Sequence, residues 1–515
     1  MKKHQKEDLA SRRDFIRQTA CASLGVTGLV NALAQMRLMT AAMAQTPPDG
    51  SYKALVCLFL NGGHDSNNFL VPAGDPAEDG IRADYETGRG VLKLDRTTLR
   101  TLNVPATTRA FNRWHGGRVS PMGLHPEASH LAQLFNEGDL AVMCNVGTLA
   151  FPVASRAEYL SGNIPLPRQL FSHSDQQTQW QSSVSDKPFS SGWGGRAADL
   201  LHSSYNAGTS KVSMSISLAG INSFQVGTAG QVTQFVVNSG GTVPLSGFGT
   251  NYTDALNTDG SYKTTDSAKR LRAFEDIMRL THANLHEEEY NRIVVRARAA
   301  EGTIGAAVTA AGTTGVNFDS IFSTAGATTS LGNQLKMIAK LIAGRNVLGN
   351  NRQIFFCQIG GFDTHQTLLV SHGNLVRELN NSIKAFSQSL KELGVWDSVV
   401  TFTASDFNRT FTPNNTDSTK AGSDHGWGSH AFVTGGAVNG GDLYGSFPSL
   451  KTGAVSGSID AGSNRGRWIP DTSVDQYAAR LASWMGADSN SMEAVFPNLG
   501  RFDATTSSTA NLGFL

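Results

Sequence analysis

Four short runs of Val, Leu, Ile and Phe, at 53–60, 140–147, 354–360 and 399–404, constrain this chain most. They show no polar alternation and are too short for helices, so each reads as a strand buried on both faces. Amphipathic helical stretches lie between and around them, at 126–137, 267–299, 332–347, 372–393 and 474–485. Buried strands alternating with helices predict an α/β fold with a mostly parallel central sheet and helices on both sides. The segment 205–265 breaks the pattern. Gly, Ser, Thr and Asn dominate it, with short alternating pieces at Val212–Leu218 and Gln231–Val237. It is expected to be an inserted antiparallel or loop-rich subdomain over one sheet edge. The small-residue stretch 301–330 reads as a surface excursion. With 40% hydrophobic and only 17% charged residues, the chain is neither a disordered tail nor a coiled coil.

The N-terminus has a different composition. Ser-Arg-Arg-Asp-Phe at 11–15 precedes a weakly apolar stretch from Thr19 to Ala34, and Ala42-Met43-Ala44 follows. This order predicts a twin-arginine signal peptide over 1–44, with the translocase as a transient partner and a periplasmic or secreted product. Cys21 is no lipidation site, because Gln18 stands where an aliphatic residue is needed. The signal holds seven Lys/Arg and three acids, leaving 36 bases against 39 acids from residue 45 onward. That near-neutral remainder gives no electrostatic reason to expect nucleic acid. Its apolar runs are too short and too interrupted to predict a transmembrane segment in the mature chain. Cys57, Cys144 and Cys357 each sit inside an apolar run, as buried thiols rather than a disulfide framework.

Chemistry concentrates where the strands end. The first runs into Asn61-Gly62-Gly63-His64-Asp65-Ser66, a later one into Gly360-Gly361-Phe362-Asp363-Thr364-His365, and the next into Ser405-Asp406-Phe407-Asn408-Arg409. Ser423-Asp424-His425-Gly426-Trp427-Gly428-Ser429-His430 follows. In a parallel sheet the carboxyl ends of strands form one rim, so these clusters should converge. Converging carboxylates and imidazoles suit divalent metal, zinc first, with manganese, calcium or magnesium as alternatives. A single Asp after a strand more often makes a turn or caps a helix. The set of three such Asp with His365, His425 and His430 is what points to metal, while His64 and His372 fit hydrogen-bonded histidines equally well.

Several motifs resemble the domain-of-unknown-function 1501 family of bacteria. They are Arg-Arg-Asp-Phe near the start, Gly-Gly-x-Asp-x-x-Asn at 62–68, Gly-Leu-His-Pro at 123–126 and Phe-Ser-His at 171–173. Gly-Gly-Phe-Asp-Thr-His at 360–365, Asp-His-Gly-x-Gly at 424–428 and Ser-Val-Asp-Gln-Tyr at 473–477 complete the set. That family is similar to the alkaline phosphatase and sulfatase superfamily, which implies a three-layer α/β/α domain over 45–515 with a two-metal site. The resemblance makes Asp65 and Asp406 ligands of one metal and Asp363, His365 and His425 ligands of the other, with His430 as substitute or partner. It departs at Phe407, where alkaline phosphatases carry His. No sulfatase nucleophile motif is present. Ser172 and Ser174, at an expected helix start, are the candidate nucleophiles, with Ser66 a third, and helix capping is the plainer role for them. Arg409 is the candidate clamp for an ester oxygen.

Two functions follow as expectations. One is a secreted metal-dependent hydrolase of phosphate or sulfate esters, acting on a small-molecule or polysaccharide substrate. The other is a non-catalytic, metal-stabilised envelope protein that binds a polysaccharide or protein partner through the 205–265 segment.

Overall fold

A computed structural model describes residues 51–228, 232–241, 245–249, 252–257, 260–280, 285–462, 464–502 and 512–515. The expected signal peptide over 1–44 and Gln231 lie outside the described residues. The strands in chain order are β1 Lys53–Leu60, β2 Leu70–Pro72, β3 Arg100–Leu102, β4 Met122–Leu124, β5 Leu140–Gly147 and β6 Ser215–Ser217. Then come β7 Phe235–Val236, β8 Arg352–Ile359, β9 Val399–Ser405, β10 Ser429–Thr434, β11 Leu443–Gly445 and β12 Thr472–Ser473. The main sheet runs β11-β5-β10-β9-β1-β8-β6-β7, with β12 paired to the end of β5. Every pairing is parallel except those of β10, which runs against β5 and β9. The fold is thus mixed α/β with a large, mostly parallel sheet. β2, β4 and β3 make a separate antiparallel sheet.

Register positions the chemistry. Leu60, the last residue of β1, lies level with Ile359 of β8 and Ser405 of β9. The loops that follow therefore leave the sheet at one height on one rim. Because β10 is antiparallel, the loop 406–428 departs from the end of β9 and re-enters the sheet at that same rim. At Gly62 (φ 111°) the first two loops touch: a Cβ there would sit 2.4 Å from the backbone nitrogen of Asp363. Only glycine allows that approach.

The alternation of side chains along β1 divides the core. Ala54, Val56, Leu58 and Leu60 face one cluster, and Leu55, Cys57 and Phe59 face the other. On the first side lie residues of α2 (Ser129–Glu137), α5 (Leu285–Ala311), α6 (Phe318–Thr324), α7 (Ser330–Ala343) and α8 (Leu368–Glu392). On the second lie α4 (Trp193–Tyr205) and α9 (Val474–Met485). Two further helices, α1 (Gly80–Arg89) and α3 (His173–Ser182), matter for the rim.

Two regions differ from the expected pattern. β6 and β7, from the Gly/Ser/Thr-rich segment expected to be antiparallel or loop-rich, extend the main sheet in parallel, with Ile216 fully buried beside β8. The stretch 301–330 is no excursion. Ile304, Ala307, Ala311, Phe318 and Phe322 bury in the main core at helical spacing, while Gly302, Gly305 and Gly312 on the other face stay exposed. Cys57, Cys144 and Cys357 are buried and unbridged, and burial pushes all three thiols up from their ordinary value.

Candidate metal centre

The rim loops and one helix start build a compact cluster. Asp363 comes from the loop after β8, and His425 from the loop before β10. His173 is the first residue of α3. His173 Nε2 lies 3.0 Å from His425 Nε2, and both lie 3.4 Å from Asp363 Oδ1. Donors around a tetrahedral zinc, each at 2.0–2.1 Å, stand about 3.3 Å apart. The triangle has that size. These three side chains lie close enough to share an ion. His365 adjoins its outer edge, with Nε2 3.1 Å from His425 Nε2 and 3.0 Å from Asp363 Oδ1.

The far side of each ring explains why these nitrogens face inward. His173 Nδ1 donates to Asp406 at 2.6 Å, His365 Nδ1 to Asp424 at 3.1 Å and His425 Nδ1 to the carbonyl of Phe171 at 2.8 Å. All three partners only accept, so Nδ1 carries the proton and the Nε2 lone pair is left to point inward. Three lone pairs and a carboxylate oxygen facing one another repel; Arg409 Nη1, 2.6 Å from that same Asp363 Oδ1, offsets part of this, and a proton or a cation between the rings would offset the rest.

The backbone is shaped to serve this. Phe171 adopts φ 73°, a left-handed conformation rare for a bulky residue. Its N–H is held by Gln176 Oε1 at 2.8 Å, which turns its carbonyl toward His425. The α3 helix follows because Gln176, Gln179 and Trp180 bury one face at i, i+3 and i+4. Phe407, fully buried, lays its ring 4.7 Å from both His173 and His425. It forms an apolar floor beneath both rings. Arg467 stacks on the Phe171 ring at 4.2 Å and donates Nε to the His425 carbonyl.

Electrostatics favour charge at the centre. The hydrogen bond to Asp406 raises His173 above the usual imidazole value, outweighing burial. Burial lowers His425. Burial would raise Asp363, but Arg409, with His365 and His173, holds its carboxyl below the ordinary range. The cluster is open to solvent, with Asp363 and His365 side chains nearly half exposed.

Other expected residues lie elsewhere. Asp406 is fully buried and orients rather than ligates: Oδ2 accepts from His173 and from Gln177 Nε2 at 2.9 Å, and Oδ1 from the Gly62 N–H at 3.1 Å. Asp65 is also fully buried but pairs with Arg89 Nη2 at 2.6 Å. His430 faces away, accepting the Asn145 N–H at Nδ1 and stacking on Phe447, and burial lowers it to about 3. Ser172 and Ser174 flank His173, but their hydroxyls turn to Asp175, at 2.6 and 3.4 Å. The Ser66 hydroxyl accepts the His430 N–H. Arg409 Nη1 bonds Asp363 at 2.6 Å and the Gly62 carbonyl, Nη2 bonds the Ser423 carbonyl, and Nε is buried without a partner among the described residues. It offsets the Asp363 charge and, being fully buried, exposes no arm to a substrate. His64 and His372 stack on each other in the interior, 5.2 Å apart.

Sequence reasoning missed His173 and Asp424 as functional side chains. A histidine opening a polar helix right after Phe-Ser, and an acid directly preceding His425, were the available signals.

No curated protein and no solved structure matches the chain. One family model, described as "Protein of unknown function (DUF1501)", matches residues 52–461. That span is well over half of the sequence, and the chain belongs to this family.

Proposed function

We propose that this protein is a metal-dependent hydrolase of phosphate or sulfate esters, built on an alkaline phosphatase-like three-layer α/β/α domain and exported by the twin-arginine route. One observation carries the reading: the inward convergence of His173, His425 and Asp363, each ring locked from behind by an acceptor. Imidazole nitrogens with one carboxylate oxygen favour zinc over calcium or magnesium. Such a cation supplies a Lewis acid and acidifies water at neutral pH. The chain's own residues do the rest. Asp406 and Phe171 fix the rings, Arg409 keeps Asp363 ionised, and Arg467 places a guanidinium beside His425, suited to an anionic group. Ser172 and Ser174, beside His173, stay the candidate nucleophiles, each needing its hydroxyl to turn from Asp175 toward the centre.

Metal analysis of the mature protein, with hydrolysis of aryl phosphate, phosphodiester and aryl sulfate before and after chelation, tests this reading. Hydrolysis of one class that chelation abolishes and zinc restores is the expected result. Bound zinc with no hydrolysis of any class would overturn the enzyme and leave the metal-stabilised envelope protein. That second reading draws on the turn of both serine hydroxyls to Asp175.

A further inference from the structure

The superfamily resemblance implies two metals, with Asp65 and Asp406 holding the second. The residues present do not fit that ion. Asp65 has no exposed surface, and its Oδ2 is bonded to Arg89 Nη2 at 2.6 Å. Arg89 is equally buried and cannot swing aside. Its Nε donates to Asn68 Oδ1 at 3.1 Å, and its Nη1 to the carbonyls of Thr410 and Phe411 at 3.2 and 2.8 Å. The guanidinium is thus fixed at all three nitrogens, and removing it would strand a buried carboxylate. Asp406 is also fully buried and already accepts from the Gly62 N–H, Gln177 and His173. Beside the remaining cluster stands a second fixed cation, Arg409, also buried, at 2.6 Å from Asp363.

We infer that this chain binds one divalent cation and not two, with the buried Arg89 guanidinium permanently occupying the charge position that a second ion would take at Asp65. The inference rests on the metal reading above and narrows it. The ester would meet one metal and a set of immovable guanidinium charges, not a pair of ions.

The test is metal stoichiometry of the full mature protein, loaded with zinc and freed of excess ion, for the wild type, His425→Ala and the doubly neutral Asp65→Asn/Arg89→Met. The paired substitution avoids leaving either charge buried alone. Expected values are one equivalent for the wild type, one for the double variant and none for His425→Ala. Loading with Mn2+ should give the magnetic resonance spectrum of an isolated ion. Two equivalents in the wild type, or an exchange-coupled manganese spectrum, would overturn the inference, and the wild-type count decides even if the double variant does not fold. No bound metal in the wild type would instead overturn the metal reading itself.

Discussion

His173 shows what a sequence reading catches and what it loses. Asp363, His365 and His425 were legible because each stands beside a buried strand, and strand ends in a parallel sheet share a rim. His173 stands at no strand end, and its place depends on the left-handed turn at Phe171, which the sequence does not announce. Asp65 fails for the converse reason: it looks like a ligand until Arg89, on a helix 24 residues away, is seen to neutralise it. His173→Ala is expected to lose the bound cation, as measured by metal content. Asp406→Asn keeps the ligands but loosens a ring, so competition with a chelator should show about 10- to 100-fold weaker binding. Loading should also depend on pH. The imidazoles must be neutral to bind, and His173, raised by Asp406, holds its proton to higher pH than an ordinary histidine. Cation uptake therefore rises as pH climbs through that raised value and fails in acid. A flat dependence of affinity between pH 5 and 8 would contradict this.

Among the elements, α9 was the most readable and holds the clearest anomaly. Its Ser-Val-Asp-Gln start is a capping box, with Ser473 Oγ accepting the Gln476 N–H and Gln476 Oε1 accepting the Ser473 N–H. Asp475, in the first turn, is buried, and burial pushes it up to about 7 despite Ser183 and Arg196 nearby. Its unfolded value is near 3.8, so between about pH 4 and 7 the folded chain holds a proton that the unfolded chain has released. Stability therefore falls as pH rises through that window and levels off above it. Asp475→Asn should raise the melting temperature at pH 8 and change it little at pH 4. Equal destabilisation at both would show that the carboxylate itself is needed. The helices of 301–330 were the least readable, because a run of Ala, Gly and Thr carries little hydrophobic contrast even when its alanines pack in the core.

At the scale of the whole molecule, the alternation of buried strands and helices was enough to predict the large, mostly parallel sheet. The reversed direction of β10 was not, since a strand buried on both faces reads the same either way. No helix among the described residues is long and apolar enough to cross a membrane. If the cation bridges loops from distant parts of the chain, chelation should lower the melting temperature. Restoring zinc to 100 times its dissociation constant should return about 2.7 kcal/mol. An unchanged thermogram would place the cluster outside the stabilising structure. Export makes a separate prediction: Arg12→Lys with Arg13→Lys should hold the precursor in the cytoplasm, scored by cell fractionation.

The reversed β10 also bears on the order in which the molecule assembles. Asp363 and His425 both come from the loops around β8, β9 and β10, whereas His173 reaches His425 across 252 residues. Closing the longer loop costs more chain entropy, and the ligand set is complete only once the distant helix has docked. A cation that needs all three ligands then stabilises the finished fold and not the transition state before it. Added zinc should slow unfolding while leaving the rate of folding nearly unchanged, making the ion a latch rather than a nucleus.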